Sequence, residues 1–402
     1  MGRHNFDEAA ARSSRPLITV AAAAILVAAA VFAWFGLHKD SGSSTATHES
    51  PTTGNTASGS CTAGDAHVDI VADARVATAL GEIAKNYNAT RPVVGDHCIQ
   101  VGVRPIDSRA ALAGLTADKW DTATSGSRPA AWIPGSSVWA GALAERKLSA
   151  ISGQSGSLVT SPVLIAARTE LIAPSGDGGH WFQAPYLTYA NAFAAYGEHK
   201  ITGSARLAMP MVPGSDATAL AAQAYAYNFS VETKKDTRPL SAVRVAGAKI
   251  QTGLRQLVRN PPHFGDGSAE AAVHAIADAP NVQVAAVRTV PISEQQLYLE
   301  TRDWKPGRVG ILRPNGATPV LDYPVIQLSG VPSFTSDAVG QFIAYAKTPD
   351  QIVRLTDLGF RGPSALPRAT ATVNFPPIVN VMPTAQPGGA VAVSRVVLPA
   401  AV

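Results

Sequence analysis

The sequence lacks the charge bias and the basic blocks that nucleic-acid-binding proteins carry. It has 33 lysines and arginines against 29 aspartates and glutamates in 402 residues, which gives a net charge of +4. No basic run interleaved with aromatic residues occurs, and charged residues make up only 15% of the chain. Because binding to a phosphate backbone depends on clustered Lys and Arg, we expect no nucleic-acid partner.

Sequence signatures of catalysis and of metal binding are also missing. H-E-x-x-H, the P-loop, G-x-G-x-x-G and C-x-x-C do not occur, and GQSGS at 153–157 has the wrong spacing for G-x-S-x-G. The nine histidines show no metal-ligand spacing. We therefore expect no enzyme activity, no metal and no cofactor. A hydrolase whose Ser, His and Asp converge from distant positions is an alternative.

Cysteine is scarce, with Cys61 and Cys98 as the only two. Outside the cytoplasm an isolated pair of cysteines predicts a disulfide bond. Cys61 precedes the first predicted strand and Cys98 the second, so the bond would pin the start of the folded domain to its sheet. Two unpaired thiols are the alternative.

One long uncharged run is present, LITVAAAAILVAAAVFAWFGL at 17–37. It has about the 20 residues that a membrane-spanning helix needs. Three basic residues precede it and one follows, so residues 1–16 are predicted to be a cytoplasmic stub and the main domain to lie outside the cell membrane. A cleaved signal peptide is the alternative interpretation. Residues 38–66, rich in Ser, Thr and Gly, indicate a flexible tether.

The body of the chain begins with two strand–helix units. Val68–Ala72 is a buried-strand pattern, Asp73 is a helix N-cap candidate, and apolar residues at helical spacing follow as far as Tyr87. Ile99–Val103 repeats the pattern, and Asp107-Ser108-Arg109 opens the next helix. In open α/β sheets, the carboxyl ends of strands beside helix N-termini are where ligands bind.

Further elements follow along the chain, and their alternation predicts an α/β fold with mostly parallel, doubly wound sheets. After Gly362 the sequence is rich in Pro, Ala and Val without helical spacing, which predicts an extended or partly disordered tail. The main predicted strands are Ala130–Ile133, Leu158–Ala167, Val282–Val290, Val309–Leu312 and Pro324–Leu328. The main predicted helices are Val138–Arg146, Tyr186–Tyr196, Ala217–Phe229, Arg244–Arg259, Ala269–Asp278 and one or two within Ser336–Leu358.

Three stretches resemble one known family. They are VDIVADARVATALGEIAKNYN from Val68, SPVLIAARTELI from Ser161, and LDYPVIQLSG from Leu321 followed by VGQFIAYAKTPDQIVRLTDLGF. In this order they resemble the type II periplasmic or extracellular solute-binding proteins of ABC importers. The molybdate-binding type is similar, as are modules of actinobacterial envelope proteins that often precede a von Willebrand factor A domain. No such domain occurs in these 402 residues, and neither does that domain's D-x-S-x-S run.

The resemblance implies two α/β lobes joined by two hinge crossovers, which close on a ligand without chemistry. Lobe one is predicted at 67–168 plus 318–362, lobe two at 169–317, and a tail at 363–402. The implied function is capture of a small polar solute or oxyanion for import or sensing, with an ABC permease or an envelope protein as partner. A ligand-free envelope interaction module with the same fold is the alternative.

The family's geometry places ligand contacts in the turns from strand to helix. Asp73 departs from the Ser or Thr that is usual in oxyanion binders, and it would repel an anion. Each serine in these turns is equally interpretable as a helix cap, and Trp132, Trp139, Tyr186 and Tyr323 as core residues rather than stacking platforms. The candidate ligand-binding residues are Asp73, Ala74, Arg75, Ser108, Arg109, Ser136, Ser161, Ser215, Ser293 and Glu294.

Overall fold

The computed structural model describes residues 61–172, 179–190, 192, 201–212 and 214–398. The predicted stub, the anchor at 17–37 and the tether up to residue 60 lie outside the described residues. Within the described ranges, no helix is both long enough and apolar enough to cross a membrane. The tether was predicted to end at residue 66, but the folded domain begins earlier, because Cys61 is bonded to Cys98 and the first strand begins at Asp65. The predicted disulfide is therefore confirmed.

The strands and helices of the described residues are numbered here in chain order. The strands are β1 (Asp65–Ala72), β2 (Val93–Val94), β3 (His97–Pro105), β4 (Ala131–Ile133), β5 (Ile151–Ser157), β6 (Ser161–Arg168), β7 (Thr289–Ser293), β8 (Val309–Leu312), β9 (Val320–Leu321) and β10 (Pro324–Leu328). The helices are α1 (Ala74–Ala89), α2 (Ser108–Thr116), α3 (Thr122–Ser125), α4 (Ser137–Lys147), α5 (Asp216–Lys234), α6 (Ala242–Val245), α7 (Ala248–Leu257), α8 (Ala269–Asp278), α9 (Glu294–Thr301), α10 (Ser333–Ala346), α11 (Pro349–Thr356) and α12 (Pro387–Val397).

The strands form two sheets. The first has six strands in the order β2-β3-β1-β4-β10-β5, and the second joins β7, β8 and β9 to β6. Helices α1, α2, α4, α10 and α11 lie with the first sheet and form what we call the first lobe. Helices α5, α8 and α9 pack on the second sheet and form the second lobe.

The strand pairing is mixed, so the prediction of mostly parallel sheets is wrong. Strand β1 runs parallel to β3 and β4, whereas β2, β5 and β10 pair antiparallel with their neighbours, and β6 pairs antiparallel with all three of its neighbours. The chain crosses between the sheets twice, between β5 and β6 and between β9 and β10. Strand β10 enters the first sheet, and β6 the second, from the other sheet, and each runs antiparallel to its neighbours, whereas β2 is antiparallel because it forms a hairpin with β3.

The two crossings are bonded to each other. The backbone N–H of Leu158, after β5, donates to the carbonyl oxygen of Tyr323, before β10, at 3.0 Å. Tyr323 is fully buried and has a φ of 38°, in the left-handed region that aromatic residues rarely adopt. The hinge between the sheets is therefore a specific, constrained pair of segments.

The two opening strand–helix units match the predicted elements. The alternating residues Val68 and Ile70 are buried in β1, and the Asp73 side chain accepts from the N–H of Arg75 at 3.1 Å to cap α1. Asp107, not Ser108, caps α2 by accepting from the N–H groups of Arg109 and Ala110 at 3.0 and 3.2 Å. Side-chain capping satisfies donors that the first helical turn leaves unpaired.

Four predicted elements differ from the structure. The strand predicted at 158–167 begins only at Ser161, and the polar β5 before it was missed. The strand predicted at 282–290 starts only at Thr289 and ends at Ser293. The residues before it form a turn, because the buried guanidinium group of Arg288 donates hydrogen bonds to the carbonyl oxygens of Thr202, Val282 and Ser204. The helix predicted at 244–259 is interrupted at Gly247. The helix predicted to start at Tyr186 is a 3₁₀ segment, Trp181–Thr188, and most of 191–196 lies outside the described residues.

The tail from residue 363 contains a helix, so the prediction of an extended or disordered segment is wrong there. Helix α12 packs on α5 of the second lobe, on the neighbouring helices α6 and α7, and on α4 of the first lobe. Its residues Ala390, Val393 and Val397 are buried in a cluster with Leu240 and Leu254. This apolar packing stabilises a helix whose sequence has a weak intrinsic helical preference.

Candidate functional site

The N-termini of three first-lobe helices meet where their strands end. Ser108, the first residue of α2, donates from Oγ to Oδ2 of Asp73 at 3.3 Å and accepts from the N–H of Gly135 at 3.1 Å. Asp73 precedes α1 and Gly135 lies just before α4. Because β1, β3 and β4 run parallel, their carboxyl ends share one edge of the sheet. The two candidates Asp73 and Ser108 therefore form one hydrogen-bonded unit.

A second-lobe carboxylate faces this unit. Asp216, the first residue of α5, accepts from Nε1 of Trp139 on α4 at 3.1 Å. A Cβ placed on Gly135 would lie 2.8 Å from Oδ2 of Asp216 and 3.3 Å from Oδ2 of Asp73. Glycine at this position therefore leaves room for the two carboxylates to approach the same backbone atom from opposite lobes.

Arg75 is the cation of the site. Its NH2 group donates to the carbonyl oxygen of Gly214 at 2.5 Å, and NH1 lies 3.6 Å from Oδ1 of Asp73. Gly214 belongs to the segment before α5, and its φ of +81° favours glycine. Burial lowers the pKa of Arg75, but Tyr323, Asp73 and Asp216 together raise it above its usual value. Arg75 thus joins the two lobes as a permanent cation.

The two acidic groups around Arg75 are electrostatically coupled. Burial, and then the charge of Asp73, raise the pKa of Asp216 to about 6, while Arg75 and the Trp139 hydrogen bond oppose the rise. Burial also raises the pKa of Tyr323 beyond its usual value, and Asp73 adds to this rise. With both carboxylates ionised the site carries more negative than positive charge. This balance disfavours an oxyanion and favours a solute with a cationic or hydrogen-bond-donating group.

A cavity of about 240 Å³ opens beside this cluster, between the first-lobe helices α2 and α4, the second-lobe helix α5 and the tail helix α12. Asp216 and the buried amide of Gln223 line it, and the amide oxygen of Gln223 has no hydrogen-bond partner among the described residues. Arg109 is exposed and lines the cavity, as does Ser136, whose side chain makes no capping bond to α4. The cavity is large enough for a small organic solute.

Three candidates, Ser161, Ser293 and Glu294, lie in a separate group at the start of α9. Ser161 accepts from the N–H of Gln295 at 2.9 Å, and Ser293 caps α9 by accepting from the N–H of Gln296 at 3.1 Å. Glu294 is fully buried and bound to arginines. The Gln296 amide donates to Glu270 at 2.8 Å, and the charge of Glu270 acts on Arg75. Among the described residues, this group therefore acts on the Arg75 cluster only through the charge of Glu270.

The remaining candidates make no side-chain hydrogen bond to the Asp73, Arg75 and Asp216 cluster among the described residues. Ala74 is exposed, and Ser215 occupies the N-cap position of α5 without a side-chain capping bond. The sequence-based candidates did not include Gly135, Gly214 and Asp216, and Trp139 and Tyr323 were interpreted as core residues rather than as site residues. The Pro134-Gly135 turn was a usable signal, since it follows a short buried strand directly. No spacing signal links Asp216 to Asp73, because only the fold brings α5 to β1. In the described part of the chain, no group of three or more His, Cys, Asp or Glu side chains is arranged to hold a metal ion.

The fold was compared with solved protein structures, and several of them superpose on it over most of their length. A ferric binding protein from Campylobacter jejuni superposes with a TM-score of 0.55 and 11% identity, covering 83% of this chain and 99% of that one. A Trichodesmium protein in complex with iron and citrate superposes with a TM-score of 0.53 and 10% identity, and the match covers 83% of this chain and 97% of that one. Iron-bound HitA from Pseudomonas aeruginosa superposes with a TM-score of 0.52 and 10% identity, and the match covers 82% of this chain and 99% of that one.

The chain has the type II periplasmic-binding-protein fold. The two sheets and the two crossings between them are the parts of that fold described above. At 10–11% identity the likeness extends to the fold alone. No protein-family model matches the chain.

Sequence relatives of this binding-protein-fold chain exist in Mycobacterium tuberculosis. The uncharacterized proteins MT1884 of strain CDC 1551 / Oshkosh and Rv1836c of strain H37Rv are each 32% identical over 336 residues. The match covers 82% of this chain and 47% of each relative. The chain therefore spans about half the length of the curated relatives it matches.

Proposed function

We propose that this protein captures a small polar solute between its two lobes, for import or for sensing. The observation that carries the proposal is the meeting of Arg75, Asp73 and Ser108 of the first lobe with Gly214 and Asp216 of the second. Helix N-termini from both lobes converge there beside a cavity of about 240 Å³, which is just below the roughly 300–1,000 Å³ of pockets for drug-sized ligands and suits a small solute. Capture by closure needs no chemical step.

The charge at the convergence narrows the solute class. Asp73 and Asp216 outnumber Arg75, and the Arg75 guanidinium already binds Gly214 and Asp73. A neutral or cationic solute that donates hydrogen bonds fits this site better than an oxyanion does. An amine would favour the ionised form of Asp216 and lower its pKa from about 6.

The cellular setting of the proposal rests on residues 17–37. We propose that they anchor the protein in the cell membrane as a single pass with the N-terminus cytoplasmic. The binding lobes would then lie outside the membrane, where the Cys61–Cys98 disulfide is stable. An ABC permease or an envelope protein would be the partner that receives the solute or the signal.

Helix α12 favours a second candidate function. Its residues Pro387, Ala390, Val391 and Ser394 line the cavity beside Asp216. A helix of the chain itself thus occupies one side of the space between the lobes. This arrangement suits an envelope interaction module that kept the fold without a solute.

Thermal unfolding of the 402-residue chain against a panel of solutes separates the two candidates. The panel contains polyamines, amino acids, sugars, oxyanions and cell-wall fragments. A solute at about 100 times its Kd adds roughly 2.7 kcal/mol of stability, a shift of a few degrees for a domain of this size. We expect a shift from the donor-rich or cationic compounds. The protein is then unfolded, washed to remove any co-purified solute, refolded and tested again. If no compound shifts the unfolding temperature after this treatment, the result supports the interaction module.

A further inference from the structure

A second cavity, of about 210 Å³, lies away from the Asp73–Asp216 cluster. It is enclosed by the start of β6, the 3₁₀ residue Trp181, the turn after β8 and the tail segment 376–380. Its walls are apolar and rich in proline: Pro162, Val163, Leu164, Pro314, Pro376, Pro377 and Ile378. The side chains of Arg313 and Arg361 also line it, and no lining residue is an aspartate or glutamate.

The charges beside this cavity do not balance. Glu294 is fully buried and accepts from Nε and NH2 of Arg361 at 2.6 and 3.0 Å. The same carboxylate accepts from NH2 of Arg313 at 3.1 Å. One carboxylate therefore serves two guanidinium groups, and no other carboxylate forms an ion pair with either arginine within the described residues. One positive charge next to the cavity has no counter-charge.

Hydrogen-bond donors at the cavity are also unmatched. Arg313 uses its NH2 group for Glu294 and for the carbonyl of Asn374 at 2.7 Å, and its Nε and NH1 groups make no bond among the described residues. The Trp181 side chain is only 1% exposed, and its Nε1–H lacks an acceptor in the same part of the chain. The unused N–H groups of Arg313, whose side chain is 34% exposed, are therefore the donors that a ligand in the cavity can reach.

We propose that this cavity binds a small organic carboxylate. The carboxylate accepts from the unused N–H groups of Arg313 and supplies the missing negative charge, with Trp181 as one wall of the cavity. The apolar part of the ligand lies against the proline side chains. These have no hydrogen-bond donors to replace the water that an inorganic anion would lose on entering the cavity. Val379, which is 96% exposed, marks the open mouth through which a ligand enters.

The inference is independent of solute capture between the lobes. None of the residues that form the Arg75 cluster lines this cavity. The two sites also prefer opposite charges, since the cluster has an excess of carboxylate and this cavity an excess of guanidinium. A variant at one site should therefore leave binding at the other unchanged.

Benzoate and its neutral isostere benzamide are the probes. The indole Nε1–H resonance of Trp181 in the ¹⁵N-labelled chain reports on the cavity directly, and its loss in Trp181→Phe assigns it. We expect millimolar benzoate to move this resonance in a saturable way, with benzamide at the same concentration moving it little. Arg313→Gln should weaken benzoate binding by roughly ten- to a hundredfold, because a charge-assisted hydrogen bond is lost.

Arg302→Gln is the matched control, since Arg302 is a partly exposed arginine paired with the exposed Asp303. It should bind benzoate like the wild type, as should Gly135→Ala at the other site. The proposal is overturned if benzoate leaves the Trp181 resonance in place, if benzamide moves it equally, or if Arg313→Gln keeps wild-type affinity. In the first case no carboxylate enters the cavity, and in the other two the carboxylate–guanidinium contact does not determine what binds there.

Discussion

Nε1 of Trp139 donates a hydrogen bond to Oδ2 of Asp216 at 3.1 Å, and this bond joins the first lobe to the second. Trp139 is the third residue of α4, and Asp216 is the first residue of α5. The indole N–H can only donate, so it favours the ionised form of the carboxylate. It opposes the burial and the Asp73 charge that raise the pKa of Asp216. Asp216 is therefore the titratable contact between the lobes.

Asp216 should make stability depend on pH. Its pKa rises from 3.8 unfolded to about 6 folded, so the folded state holds the proton more tightly. The associated stability is fully present below about pH 4 and is lost as pH rises through 6. The difference is roughly 3 kcal/mol at most. Urea unfolding from pH 4 to 8 should show a decline in the wild type that Asp216→Asn removes.

Asp303→Asn is the control for this titration, because the Asp303 side chain is 88% exposed. It should follow the wild-type pH profile. A wild-type profile identical to that of Asp216→Asn would show that Asp216 titrates normally.

Arg361 should be far more important for stability than a surface arginine. It is 7% exposed and holds the fully buried Glu294 through two hydrogen bonds. Arg361→Met leaves that carboxylate with Arg313 alone, and we expect a loss of roughly 3 kcal/mol in urea unfolding. The double variant Arg361→Met/Glu294→Met should recover most of the loss, since no buried charge is then unpaired. Arg302→Gln should change stability by less than about 0.5 kcal/mol. A single variant as stable as the control contradicts the pairing.

Two adjacent glycines test the docking of α12. A Cβ on Gly389 would lie 2.2 Å from the carbonyl oxygen of Leu240, whereas one on Gly388 would meet only Cβ of Ala242 at 3.5 Å. Gly389→Ala should force the helix away from its site and cost about 1–3 kcal/mol. Gly388→Ala should be neutral or stabilising by up to about 1 kcal/mol, because alanine is the better helix former. Equal stability of the two variants in urea unfolding would contradict the close packing of α12.

The Cys61–Cys98 bond should contribute measurably to folding. It closes a loop with a sequence separation of 37, which corresponds to roughly 4 kcal/mol in the chain-entropy treatment. Cys61→Ser/Cys98→Ser should therefore unfold at a lower urea concentration than the wild type. The wild type in reducing agent should match the double variant. If reduction leaves the wild-type urea midpoint unchanged, the bond does not constrain the unfolded chain.

The sequence was sufficient for the elements whose signals are local. The apolar run to Ala72 followed by the cap at Asp73 predicts both β1 and α1, because burial pattern and capping act within a few residues. Strand β5 was missed, since Gly and Ser dominate it and its partner β10 supplies its order. Helix α12 was missed because Pro, Gly and Val carry little helical preference and its stability comes from packing.

The site was predictable only in its first half. Asp73, Arg75 and Ser108 lie in strand-to-helix turns, which sequence patterns locate. Asp216 and Gly135 meet through tertiary packing, and no spacing in the sequence relates them. The buried ion pair of Glu294 was likewise hidden, because Arg361 reaches it from beyond the last helix of the first lobe.

The most direct test of capture between the lobes is the Kd of the solute that stabilises the chain, measured by calorimetry for the wild type and for Gly135→Ala. The added methyl group fills the space between Oδ2 of Asp73 and Oδ2 of Asp216. Gly340→Ala is the control, since a Cβ there meets nothing within 4 Å. Capture at this site predicts at least about tenfold weaker binding by Gly135→Ala, or 1.4 kcal/mol, with an unchanged Kd for Gly340→Ala. Equal Kd values for the wild type and Gly135→Ala would contradict it.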